Sequence, residues 1–408
     1  VGTTLSGSSS DSYIAYCFAS ISGFSKIGTY TGNGSGNTQS INTGFAASWV
    51  MIKDYNVGGS WWIQDTNRGG SKSLKANLSD AESTTNYVTF TSTGFDVTGG
   101  LNDNASGSKF IYMAFKENPT PYPLAGNMSF LVVAGGGSGA MQHGGGGGAG
   151  GLRTSYGSTS GGGASAESDI TLAAGTYTIT VGSGANGVTP SPGNIAGLNG
   201  SDSSIAATGL TTITSIGGGG GSAYIGQTTP GNGGSGGGGG NQSQAGGSGT
   251  AGQGFAGGTG SSSSTNYPTG GGGGASAVGG NGSGSTAGDG GAGLSVSITG
   301  SSVAYAGGAG GSSFRGGTAG IGGIGGGANG TNSDGDGNAG TVNTGGGGGG
   351  ATAPSGGTAT SGNGGSGIVI LRLLTSEYSS STTGSPTVTT DGDYTVLTYT
   401  GSGTYVHS

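Results

Sequence analysis

Through the first third of the chain, apolar residues come in short alternating runs set off by Gly, Asn, Ser and Thr, the period-2 pattern of half-buried strands. The runs predict strands at 13–18, 24–31, 49–53, 61–65, 87–90, 94–97 and 109–116, which together suit a β-sandwich. Alternation within 61–65 puts one of Trp61 and Trp62 in the core and the other on the surface, with Tyr55 nearby as a further candidate for sugar stacking. No window holds a 3.6-residue period for three turns, so almost no α-helix is expected beyond one turn near 78–82. Farther on, alternation survives only in islands. Residues 130–134 and 368–373 read as strands, 210–216 and 294–305 as strand or hairpin segments. Residues 168–181, with Ile170, Leu172, Tyr177, Ile179 and Val181 in register, read as a β-hairpin.

Between these islands the pattern is glycine. Of 108 glycines in 408 residues, 87 fall between 130 and 375, which draws the domain boundaries. The expected parts are 1–20, an end strand of a preceding repeat or an exchanged strand; 21–118, the sandwich; 119–129, a connector stiffened by Pro119, Pro121 and Pro123; 130–375, the glycine block; and 376–408, C-terminal strands. Residues 13–18 repeat the texture of 110–115, and 394–405 resemble an opening strand. The terminal strands are therefore expected to be completed between chains.

Glycine at this density is a flexible linker unless a cooperative gain offsets its entropy, on the order of 1 kcal/mol per residue relative to alanine. Collagen is excluded, because runs such as 144–148, 217–221, 236–240, 270–274 and 345–350 have no residue between glycines. A three-residue polyproline-II helix leaves its N–H and C=O groups free on every side. Without Cβ atoms such helices can pack together and bond one another. The expectation is an all-β chain: a β-sandwich followed by a polyproline-II (polyglycine-II) bundle on a β-scaffold. Runs ending in Ala149, Ser222, Ala275 and Ala351 mark equivalent helices, with Ala, Ser, Asn and Thr facing outward or forming turns.

Charged residues are only 7% of the chain, and 10 basic residues against 17 acidic ones give a net charge of −7. The basic residues are scattered, so no nucleic-acid footprint is present, and the longest aliphatic runs are far short of the ~20 residues of a membrane helix. Cys17 reads as a small packed hydrophobe. His143 and His407 assemble no Ser-His-acid or Cys-His set, and His143 reads as a loop residue. The glycine runs lack the Gly-Lys-Ser/Thr ending of a phosphate loop. No catalytic residue and no cofactor site is expected. Asn332, Asp334 and Asp336 have the alternating oxygens of a calcium loop but lack its closing glutamate, so a solvated turn competes with that reading. Asp391 and Asp393 form a weaker pair.

The opening Leu131-Val-Val-Ala-Gly-Gly-Gly, the run from Gly144 to Ser155 and the close Gly364-Gly-Ser-Gly-Ile-Val-Ile-Leu-Arg372 resemble the glycine-rich, polyglycine-II type domain of phage tail-fibre and adhesin proteins, particularly of marine phages. Residues 49–54, 64–69, 94–97 and 110–116 resemble a concanavalin-like jelly-roll repeat. The resemblance implies a non-enzymatic fibre or tip component, on the virion or otherwise extracellular. Its partners would be other copies of itself and a host cell-surface glycan or protein. A structural subunit of an extracellular filament, assembled by strand exchange, is the alternative. Ordered Thr and Ser rows on a flat bundle would suit ice as a third.

Overall fold

The computed structural model describes residues 18–21, 23–34, 36–56, 58–69, 72–97, 104–116, 126–189, 195–224, 228–352 and 359–408. They form two compact units, Val1–Pro119 and Thr120–Ser408. The chain is nearly all β: its helical elements among the described residues are two short 3-10 turns. The expected strand at 13–18 lies almost wholly outside the described residues, as does Cys17.

The first unit holds β1 (Ser25–Thr31), β2 (Gln39–Asn42), β3 (Ala47–Asp54), β4 (Trp62–Asp65), β5 (Ser73–Lys75), β6 (Val88–Thr91), β7 (Gly94–Val97) and β8 (Lys109–Lys116). One antiparallel sheet runs β1-β8-β3-β4-β5 and the other β2-β7-β6. Inward-facing Val50, Ile52, Phe110, Tyr112 and Ala114 of the first meet Val88, Phe95 and Val97 of the second in one core. Buried Gln64 ties the sheets together, its Oε1 accepting the N–H groups of Tyr87 and Val88 and its Nε2 donating to the Val88 carbonyl. β2 and β5 escaped the sequence pattern because each carries a single aliphatic residue and is strand only by virtue of its neighbour. The helical turn expected near 78–82 does not form. The segment instead returns to pair Ser83 with Ser73 through reciprocal backbone bonds.

In the second unit, β9 (Asn127–Val133), β10 (Leu152–Thr154) and β11 (Ile170–Thr171) are followed by β12 (Gly175–Thr180), β13 (Ser203–Ala206), β14 (Ile213–Ser215), β15 (Leu294–Val296) and β16 (Val303–Tyr305). The chain closes with β17 (Ile368–Leu374), β18 (Ser381–Thr383), β19 (Thr387–Asp391), β20 (Tyr394–Tyr399) and β21 (Gly403–His407). One sheet is ordered β10-β9-β17-β20-β19, with β11 also on β9; a second is ordered β14-β13-β12-β21-β18; β15 and β16 form a hairpin. Phe130, Val132, Val369, Leu371 and Leu397 face Tyr177, Ile179, Ile205 and Tyr405 of the second sheet. The opposite side chains Leu131, Val133, Ile368, Ile370 and Val396, with Leu152 beside them on β10, pack against Tyr156 and Tyr305. Burial on both faces explains the unbroken apolar runs of β9 and β17. Arg372 interrupts the run at 1% exposure, bonded to Asp391 (2.9 Å) and the Ile298 carbonyl and lying over the Tyr394 ring.

Two expectations are overturned here. Residues 168–181 are not a hairpin: β11 pairs with β9 and β12 with β13 and β21, so the continuous alternation spans two sheets, with Gly175 (φ 147°) at the corner. The C-terminal strands are not an unfinished domain. β20 lies between β17 and β19, and β21 between β12 and β18, so their backbone edges and aromatic side chains are satisfied within their own chain.

The glycine segments extend from this scaffold. Successive N–H groups from Gly135 to Met141 donate to the carbonyls of Ser201, Gly365, Gly148, Leu198, Gly362, Gly145 and Ile195. Every third residue returns to the same neighbour, three residues further along it. That is the threefold screw of a polyproline-II helix, with its bonds directed between helices.

Segment 144–151 shows the packing in full. Its N–H groups donate to 345–351, 216–222 and 270–273, and its carbonyls accept from 134–140, 235–238 and 309–312, giving six neighbours in a hexagonal array. The gapless glycine runs are thus the innermost helices. A Cβ on Gly147 would fall far inside van der Waals contact of the Gly137 carbonyl, and one on Gly146 would strike the Ala309 carbonyl. Each backbone bond contributes about 0.5–1.5 kcal/mol net, comparable to the entropy glycine loses, so order is cooperative across the array.

Each surrounding helix meets further segments outside it. Segments 182–189, 336–341, 317–323, 278–282 and 244–249 take five corners of the outer layer. Beyond 217–223, where the sixth would stand, Asn199 and Asp202 supply side-chain oxygens to the N–H groups of Gly220 and Gly217. The residues that end glycine runs do not face outward as expected. Ala149, Ser222, Ala275 and Ala351 are fully buried, and Ala149 and Ala275 join the apolar core over the scaffold.

Candidate functional site

Because 134–140 leaves β9 and 144–151 returns to β10, the turn at 141–143 marks the end of the bundle remote from its sheets. The same register puts the turns at 241–243, 261–268, 283–286, 314–316 and 333–335 at this distal end, and 217–223 reaches it at Tyr224. Four aromatic rings from four of these reversals converge. His143, above the six-neighbour helix, stacks on Tyr267 at 4.7 Å and meets Phe314 at 4.8 Å and Tyr224 at 5.9 Å; Tyr224 and Tyr267 are 6.0 Å apart. All four are half-buried, and exposed Arg315 lies over Phe314. Beneath them the carbonyl of Gly144 is closed off by the hydroxyls of Thr269 and Ser312, both at 2.9 Å.

Burial among these rings, aided by the positive charge of Arg315 and opposed by Asp334, lowers the His143 pKa to about 4. The imidazole is neutral at pH 7. Its Nδ1 is buried and has no hydrogen-bond partner among the described residues.

The turns are also strained. Six of the ten non-glycine residues with positive φ among the described residues lie here: Gln142 (49°), His143 (62°), Gln242 (61°), Ser243 (61°), Tyr267 (48°) and Arg315 (51°). Glycine takes such positions at both ends, Gly284 and Gly316 in the distal turns and Gly252, Gly325, Gly326 and Gly345 at the scaffold end, the latter alongside Ala306 and Asn343. A side chain in this region costs roughly 1–2 kcal/mol that glycine would avoid.

The calcium candidates fall on the same end without assembling a site. Asn332 and Asp334 are exposed, while Asp336 accepts the Thr360 N–H at 2.6 Å, closing an outer helix. No cluster of three or more His, Cys, Asp or Glu side chains suited to a metal occurs among the described residues. In the first unit Trp62 packs on Tyr87 at 4.5 Å with Lys75 above it while Trp61 is exposed, the split that alternation predicts, and Tyr55 is exposed as well. The distal aromatic cluster was not legible beforehand. Its only sequence signal is lone aromatic residues punctuating glycine segments, and convergence across more than 170 residues of chain is a property of the packing.

A family model described as a glycine-rich domain matches residues 115–374, more than half of the chain. The chain belongs to this glycine-rich domain family. Residues 1–119 match a second model, described as a domain of unknown function (DUF7483), and the boundary coincides with that between the two compact units. No curated protein and no solved structure matches the chain. The glycine-rich domain as matched ends at 374, yet residues 381–407 supply four strands to its two sheets.

Proposed function

We propose that this glycine-rich protein is a non-enzymatic phage tail-fibre or adhesin component, carried on the virion or otherwise outside the cell, that touches a host surface with its distal turns. The reading rests on side chains held at positive φ in those turns. A chain that uses glycine so freely keeps Gln, His, Ser, Tyr and Arg where glycine would relieve strain, and strain retained at turn tips marks positions whose side chains are used. The bundle supports such use, because a lattice of paired backbone groups holds the turns at fixed spacing. In this reading the first unit is a concanavalin-like jelly-roll repeat that joins the domain to other copies in a homo-oligomer or fibre. Strand exchange, the basis of a purely structural filament, is disfavoured at the C-terminus, where the strands pair within the chain.

Immunogold labelling of particles that contain the chain, together with binding of the purified protein to a panel of bacterial cells, tests this. Label on phage tails and saturable cell binding lost in a Tyr224→Ala/Phe314→Ala double variant are expected. Label along headless filaments with no cell binding would overturn it.

A further inference from the structure

Among the distal turns the groups able to contact a ligand are of two kinds. The centre offers half-exposed aromatic rings at Tyr224, Tyr267 and Phe314, each packed against His143 with ring centroids 4.7–5.9 Å from it. Around them the exposed side chains of Gln242, Ser243, Ser262, Ser264 and Thr265 carry hydroxyl and amide groups without charge. The charges nearest the cluster are Arg315 and Asp334, which are opposite in sign, and both act on His143.

We infer that the distal cluster is a binding site for an uncharged glycan. The C–H faces of pyranose rings stack on aromatic faces, while their hydroxyls both donate and accept, which suits a rim of Ser, Thr and Gln. An acidic glycan or nucleic acid would need a basic cluster, and this end presents Arg315 with Asp334 to offset it. Among the described residues of this end there is no broad apolar surface for a protein partner, since the rings are half-buried and ringed by polar groups. The αL backbone holding Tyr267, Gln242 and Ser243 fixes these groups before the ligand arrives, which lowers the ordering cost of binding.

The inference rests on the host-contact reading above, and the experiment separates their failures. The full chain is applied to arrays of neutral, sialylated and sulfated oligosaccharides and bacterial polysaccharides, and to bacterial cells before and after periodate oxidation of their glycans. Expected are binding to neutral glycans that persists in 0.5 M salt, loss of cell binding after periodate, and weakening of about tenfold or more in Tyr224→Ala and Phe314→Ala. The scaffold-end control Val342→Ala should bind as the parent does, with thermal melts confirming that all variants fold. Binding confined to acidic glycans and abolished in Arg315→Gln would overturn the inference. Cell binding that survives periodate would overturn it while leaving host contact standing, as would array silence with cell binding intact. Absence of any cell binding would remove both.

Discussion

The backbone N–H of Gly220 meets the side-chain Oδ1 of Asn199 at 2.9 Å, at the place where hexagonal order calls for another helix. Three residues earlier on the same helix, Gly217 donates to Asp202 Oδ1 at 2.8 Å, and Asn199 Nδ2 reaches across to the Asn232 carbonyl. Two side chains thus replace a missing neighbour. The same device recurs around the outer layer, where Thr259, Ile321, Gly322 and Thr360 donate to Asn281, Asp289, Asn329 and Asp336. A polyglycine lattice has no intrinsic size, and these Asn and Asp residues set its edge.

Asn199→Ala should therefore leave the buried Gly220 N–H without an acceptor and cost about 1–3 kcal/mol. Hydrogen exchange at Gly217 and Gly220 reads the effect directly. Faster exchange at Gly220 alone is expected for Asn199→Ala and at Gly217 alone for Asp202→Ala, while Asp202→Asn, which keeps an acceptor oxygen, should stay close to the parent.

Gly147→Ala tests the lattice on its six-neighbour helix. The new methyl collides with the Gly137 carbonyl, so a loss of about 3 kcal/mol or failure of the bundle to fold is expected in thermal unfolding. Gly335→Ala, in a distal turn where nothing lies within 4 Å of the new Cβ, should change stability by less than about 0.5 kcal/mol. Equal effects at the two sites would mean that the interior is not close-packed.

His143 makes stability depend on pH in a defined window. With its pKa lowered from 6.5 to about 4 in the folded chain, the unfolded state takes up its proton first as pH falls. The stabilisation is complete above about pH 6.5, declines as pH falls toward 4 and levels off below. Melting temperatures between pH 4 and 8 should show this slope in the parent, and it should be reduced in His143→Gln.

Ser243→Gly relieves αL strain at an exposed turn. Stability should rise by about 0.5–1 kcal/mol, the roughly 1–2 kcal/mol cost of the conformation less the added flexibility of the unfolded chain. Binding measured with the same protein should weaken, because the Ser243 hydroxyl belongs to the polar rim of the distal cluster.

What the sequence determined was chemistry that acts over a few residues. Period-2 runs placed β3, β4, β6, β7 and β8, because alternating burial is written locally. Gapless glycine excluded collagen and demanded helices that bond to one another, since only residues without Cβ let backbones approach that closely. Which helix meets which was decided by the tertiary structure. The hydrogen-bond partners of 144–151 come from segments between 134 and 351, and no local pattern distinguishes one glycine run from another. The same nonlocality turned 168–181 from a hairpin into strands of two sheets and drew 381–407 into the scaffold. It also gathered His143, Tyr224, Tyr267 and Phe314 at one end. Each is a lone ring in its own turn, and they share a surface only because a three-residue screw, repeated over segments of similar length, returns every second reversal to the same level.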